Sequence, residues 1–218
     1  MPKLKPTDDR QCLDFATIFA HMWYRDFPFQ PHLRDKAPRA DWTIHIGITV
    51  RSTADLMGLF TNFESGGRTD AVLKDNQENA VAAVEWEWSG FHSGEEKLNE
   101  FEKLRKACKP SSSIRFACLI GYAVDDPEPG NMAERTKRAA EMLDSYTNRW
   151  TSATPLLLVV VRFQWKGNPK RRQFKTLTID RIAEGGKSCL RVQPACPWEV
   201  KGSRWEQERK KTNSLAAG

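Results

Sequence analysis

Two acids one residue apart on a strand, with a third on the strand beside it, can hold a hard cation. In this chain Thr69-Asp70-Ala71-Val72-Leu73 is followed by Val84-Glu85-Trp86-Glu87-Trp88, and the two segments read as a hairpin. Strand side chains alternate between faces, so Glu85 and Glu87 project to one side and Trp86 and Trp88 to the other. With Asp70 on the neighbouring strand, its carboxylate reaches the same patch. Three like charges in one cleft repel, and burial raises their pKa unless something positive sits among them. Mg²⁺, with its oxygen ligands and retained waters, suits such a cluster, and Mn²⁺ is expected to substitute. Alternating Glu and Trp also describes an ordinary half-buried strand with one wet face, so the rest of the chain must decide.

The chain has 218 residues, enough for one domain with a sizeable core. Thirty-four Lys and Arg against 28 Asp and Glu leave a formal charge of +6, which favours a polyanionic partner. The longest apolar run, Pro155 to Val161, suits a buried strand and falls short of a membrane span. The first ten residues lack the apolar segment of a signal peptide, so the cytoplasm is the expected location and no membrane partner is expected. Five cysteines (Cys12, Cys108, Cys118, Cys189, Cys196) and four histidines are scattered, with no CxxC pair. Neither a zinc site nor a disulfide framework is expected, and no cysteine reads as a nucleophile.

Stepping outward to the elements, Asp9 to Arg25 reads as a helix with Leu13, Phe15, Ile18, Phe19, Met22 and Trp23 inward. Prolines make 26 to 40 a loop. Trp42 to Val50 is ambiguous, because Ile44, Ile46, Ile48 and Val50 alternate as in a strand, and Ala54 to Phe60 makes a more convincing helix capped by Ser52 or Thr53. Then come a Gly66-Gly67 turn, a strand over 68 to 75, a polar turn, a strand over 80 to 88, and a helix over 95 to 107. A strand at 114 to 123, a helix at 132 to 149, the most apolar strand at 156 to 165, and short strands at 174 to 179 and 188 to 193 complete the pattern. Residues 1–40 thus form an N-terminal helix and Pro-rich loop, 41–180 an α/β core with a mixed sheet flanked by helices, and 181–218 short strands and a polar tail, in one globular domain overall.

Here the chain resembles the PD-(D/E)XK, or restriction-endonuclease-like, nuclease superfamily. The shared core of that superfamily is an αβββαβ arrangement: a helix, a three-strand meander, a helix and a strand, with one acid on the second strand and two signature residues, separated by one, on the third. Asp70 matches the first acid, and Glu85-Trp86-Glu87 the rest, over roughly residues 42 to 165. Thr69 stands where proline is commonest, and Glu87 where lysine is usual, as in the Glu-x-Glu variants of some restriction enzymes. The resemblance implies that a lysine from the next helix, Lys97 or Lys103, takes the missing role, and that Glu64 is an extra acid near the end of the helix before the hairpin.

The implied function is a Mg²⁺-dependent phosphodiesterase, expected to be an endodeoxyribonuclease; the alternative is an inactive nuclease-fold protein that binds nucleic acid or regulates a partner. Asp70, Glu85, the Trp86 carbonyl and Glu64 would hold the ion, and Glu87 would orient or deprotonate the attacking water, or bind a second metal. Many enzymes of this fold dimerise to cut both strands, so a homodimer is open, though no segment identifies an interface. Nucleic acid, DNA in the first instance, would be met by Arg68 beside the first acid and by the acid-free run Lys166-Gly-Asn-Pro-Lys170-Arg171-Arg172-Gln-Phe-Lys175 between two strands. The eight tryptophans are expected in the core rather than on bases.

Overall fold

A computed structural model of the chain describes residues 6–25, 27, 39–65, 69–87, 100–124, 139–166, 171–203 and 206. In chain order these form α1 (Pro6–Arg25), α2 (Arg39–Leu56), β1 (Phe60–Ser65), β2 (Thr69–Lys74), β3 (Ala80–Glu87), α3 (Glu100–Ala107), β4 (Phe116–Val124), α4 (Ala139–Arg149), β5 (Leu156–Lys166), β6 (Arg171–Ala183) and β7 (Gly186–Pro194). The strands lie in one seven-stranded sheet in their sequence order. β3, β4 and β5 run parallel, and every other neighbouring pair is antiparallel. The molecule is therefore α/β with a mixed sheet, and helices cover both faces.

Two apolar clusters fill the space on either side of that sheet. One joins Phe15, Phe19 and Trp23 of α1 and Trp42, Ile46 and Val50 of α2 to Ala71, Leu73, Val84, Tyr122 and Phe174. The other joins Phe101 and Leu104 of α3 and Tyr146 of α4 to Ala83, Leu119, Leu158 and Ile182. Ala82 and Val84 go to the first cluster and Ala83 to the second, which is the two-residue alternation of a strand. On the first face Trp23 stacks on Trp42 with centroids 5.9 Å apart, and Tyr122 meets the edge of Trp42 at 5.6 Å. Such pairs add about 1 kcal/mol each beyond burial.

The stretch from Trp42 to Phe60 departs from its sequence pattern. It is one helix, α2, followed by an edge strand, β1, rather than an isolated strand followed by a helix. Four-residue spacing prevails over alternation: Trp42, Ile46, Val50 and Ala54 are buried, while Ile44 and Ile48 are 59% and 41% exposed. Buried hydroxyls are satisfied within the helix, Thr49 donating to the His45 carbonyl and Thr53 to that of Thr49. Gly58, at φ 72°, ends the helix in the left-handed conformation, with Leu59 N–H returning to the Ala54 carbonyl and Gly58 N–H to that of Asp55.

The two last strands are longer than their patterns predict, and β6 crosses residue 180, so the C-terminal segment belongs to the same sheet. It is also tied to the N-terminal helix, since Trp23 Nε1 donates to the Ala195 carbonyl and Gln193 Nε2 to that of Ala20. β5 and β6 continue past their other neighbours. β4 pairs with β5 as far as Phe163, and β7 pairs with β6 no nearer the hairpin end than Thr176. Beyond that, among the described residues, the two strands pair with each other alone, through Gln164↔Gln173 to Lys166↔Arg171.

The helical reading of α2 makes a sharp prediction. Ile46→Ala should cost about 2–4 kcal/mol in denaturant unfolding and Ile48→Ala less than about 1 kcal/mol. Equal costs would mean that alternation, not helical spacing, sets the buried face.

Candidate active site

The register of β2 against β3 positions the acids. Ala71 pairs with Val84 and Val72 with Ala83, which sets Asp70 opposite Glu85. The turn between the strands is held by Asp75, whose Oδ1 accepts from the backbone N–H of Gln77 and Asn79, both at 2.9 Å. Alternation then fixes the face: Ala71 and Leu73 join the α1/α2 side, so Asp70 and Glu85 face α3. Trp86 points the other way, against the first cluster and Phe63, as its place in the strand predicts.

Lys103 of α3 closes over this pair. Phe101 and Leu104 are buried against the sheet, and the helix presents the Lys103 ammonium 3.4 Å from Glu85 Oε2 and 3.6 Å from Glu100 Oε1. Asp70 Oδ2 accepts the Trp86 N–H at 2.8 Å. Glu85 is wholly buried, and among the described residues its Oε1 has no hydrogen-bond partner. Burial above all, with the Asp70 charge beside it, pushes the Glu85 carboxyl up to about 8, against the pull of Lys103. Burial raises Asp70 too, opposed by the Trp86 N–H and by a hydrogen bond shared with Glu85. Desolvation pulls the Lys103 ammonium down, but Glu85, Glu100 and Asp70 together outweigh it and hold the group above its ordinary value. At neutral pH Glu85 thus keeps its proton while Lys103 stays charged.

Asp70, Glu85 and Lys103 therefore meet as the sequence predicts, and Glu87 does not complete a three-acid cluster with them. Glu87 lies two residues beyond Glu85 on the same strand and is partly buried, but among the described residues no group of three or more His, Cys, Asp or Glu side chains is placed to hold a metal. Glu64 is in β1, not near a helix end. The pairs Phe63↔Ala71 and Ser65↔Thr69 put it opposite Asp70, yet it is exposed and its φ is 51°, a left-handed conformation that costs a non-glycine residue about 1 kcal/mol. Arg68, Lys97 and Lys170 lie outside the described residues. Lys166, Arg171 and Arg172 are placed by backbone only, at the end of the β5–β6 hairpin. Lys175 is half-buried at the irregularity between Arg162 and Phe163, where its carbonyl accepts from Ala195 N–H. Because β3, β4 and β5 are parallel, that hairpin leaves the same end of the sheet as Glu85 and Glu87.

Sequence reasoning missed Glu100, whose only signal was its three-residue spacing from Lys103. It also missed the brace on α3. Glu102 accepts from Arg149 of α4 at 2.9 Å and from Arg105 at 2.8 Å, while Phe101 stacks on Tyr146 at 4.7 Å.

No protein-family model matches the chain, and no curated protein matches it. Among solved structures, the YaeQ protein of Xanthomonas axonopodis pv. citri is similar at 13% identity and a TM-score of 0.23, over 62% of this chain and 70% of that one. No described helix is long and apolar enough to cross a membrane.

Two stability predictions follow from these environments. The folded Glu85 carboxyl titrates near 8, above its ordinary 4.5, so its stabilising contribution is complete below 4.5 and is lost as pH rises through 8. Glu85→Gln removes that loss, and its melting temperature relative to the parent should climb from pH 5 to pH 8.5 in the absence of divalent ions; a pH-independent difference would contradict the assignment. Glu64→Gly should raise unfolding free energy by up to about 1 kcal/mol by relieving the left-handed backbone.

Proposed function

We propose that the protein is a metal-dependent nuclease of the PD-(D/E)XK type, acting on DNA as an endonuclease. The observation that carries this reading is the fully buried Glu85 set beside the half-buried Asp70 and facing one lysine, with the Glu85 Oε1 unpartnered among the described residues. A carboxylate oxygen hidden from water without a donor is costly unless a proton or a cation supplies the missing interaction. The donor set is all oxygen, and Mg²⁺ is commonly held by one or two carboxylates with waters filling its octahedron. The pair fits that ion, with the Trp86 carbonyl as a further donor. Support also comes from the order α2, β1–β2–β3, α3, β4, which is the αβββαβ order of that superfamily.

When bound, Mg²⁺ would acidify a coordinated water and offset charge on the phosphoryl oxygens. Asp70 and Glu85 would hold it at the end of the parallel strands, where α/β sheets bind ligands. Lys103 would donate to the attacking water or to a phosphate oxygen, the role the lysine of the motif has where Glu87 stands here. Glu87 would accept the water's proton. Lys166, Lys170, Arg171, Arg172 and Lys175, with Arg68, would lie along the phosphate backbone and position it without reading sequence.

The ion pair between Lys103 and Glu85 also favours a second reading, in which the lysine permanently fills the cation's place and the protein binds nucleic acid without cutting it. Turnover separates the two. Incubated with labelled duplex and Mg²⁺ or Mn²⁺, the protein should nick or cut DNA, and Asp70→Ala should lower the rate by at least about 10²-fold while leaving the fold intact. Binding without cleavage under either metal would favour the second reading. On either reading DNA affinity should fall steeply with added salt, and an affinity indifferent to salt would remove the basic hairpin from the interface.

A further inference from the structure

We infer that Lys103 is a movable counter-ion with two seats, Glu85 and Glu100, and that Glu100 is the positioning residue that receives the ammonium when a divalent cation takes the acid pair. The inference rests on the cation site proposed above and adds to it a residue that the PD-(D/E)XK motif does not name. The geometry is that of a shared ligand: the Lys103 Nζ stands 3.4 Å from Glu85 Oε2 and 3.6 Å from Glu100 Oε1, neither contact being as short as a well-formed charged hydrogen bond. Glu85 is fully buried, whereas the Glu100 side chain keeps 21% of its surface exposed and Lys103 26%. A cation bound at Glu85 would repel an ammonium at this range, and the repulsion is strong where water is scarce.

Glu100 lies one helical turn before Lys103 on α3, so a rotation of the lysine side chain transfers it without moving the helix. The helix itself is fixed by Glu102 to Arg149 and by Phe101 against Tyr146, which leaves side-chain rotation as the available motion. Seated on Glu100, the ammonium stays beside the acid pair instead of escaping to solvent. It would then stand at hydrogen-bonding reach of a water or phosphate oxygen next to the cation.

The test is a double-mutant cycle on binding of Mn²⁺ alone, without nucleic acid, followed by calorimetry or by the electron-spin signal of the free ion. Lys103→Met should tighten Mn²⁺ binding by about tenfold, because nothing competes for Glu85. With Lys103 present, Glu100→Gln should weaken binding by about threefold to tenfold, because the lysine has lost its second seat. In the Lys103→Met background, Glu100→Gln should change affinity by less than about twofold. An equal loss in both backgrounds would mean that Glu100 acts on the ion directly through its field or as a ligand, and would overturn the two-seat inference while leaving the cation site standing. Absence of Mn²⁺ binding by the parent protein would overturn the cation site and this inference with it. Melting curves accompany each variant, and Lys103→Gln replaces Lys103→Met if the latter does not fold.

Discussion

A carboxyl shut away from water must keep a proton or be matched by positive charge, and Glu85 is under that constraint from every side. The sheet lies beneath it, α3 lies above it, and Asp70 presses a second carboxyl against it. Leaving the buried Glu85 and the half-buried Asp70 beside it both ionised and unmatched is costly. The fold answers with a lysine delivered by α3 and with a proton retained by the pair. On the function proposed above, a doubly charged ion would take the place of both.

The remaining architecture holds these groups within reach of each other. The Asp75 turn fixes how β2 and β3 slide past one another, and a slip of one residue would carry Asp70 to the opposite face. On the other layer, α3 is described over Glu100–Ala107 and depends on its neighbours for its position. It is secured by Phe101 and Leu104 in the apolar layer, by Glu102 to Arg149, and by the Arg149 guanidinium 4.9 Å from the Phe101 ring centroid. Lys103 owes its placement to these neighbours.

How much of this was readable in the residues themselves depends on how local each signal is. Asp70 facing Glu85 follows from strand alternation and a short polar turn, whereas no local pattern marks Lys103, which the family resemblance implies only as one of two lysines beside Lys97. The α2 segment misleads because isoleucine and valine at every second position suit a strand, while the deciding contacts, Trp42 with Trp23 and Ile46 with the same layer, come from α1 and from distant strands. β1 was hidden because Phe60-Thr-Asn-Phe-Glu-Ser is an edge strand with both phenylalanines substantially exposed, so it lacks an apolar signature. Glu87 shows the limit of periodicity. Alternation predicts the side a residue faces, but whether two side chains close on a common centre depends on twist and on the helix packed above.

The β5–β6 extension carries a mechanical consequence. Ribbons of only two strands coil more strongly than wide sheets, because no third strand restrains them. The arm that ends at Lys166 and Arg171 is such a ribbon, rooted in the most apolar strand of the molecule. Its root is flanked by β4 and β7, while its far half has no third strand among the described residues, so extra coiling there leaves the sheet that carries Glu85 undisturbed.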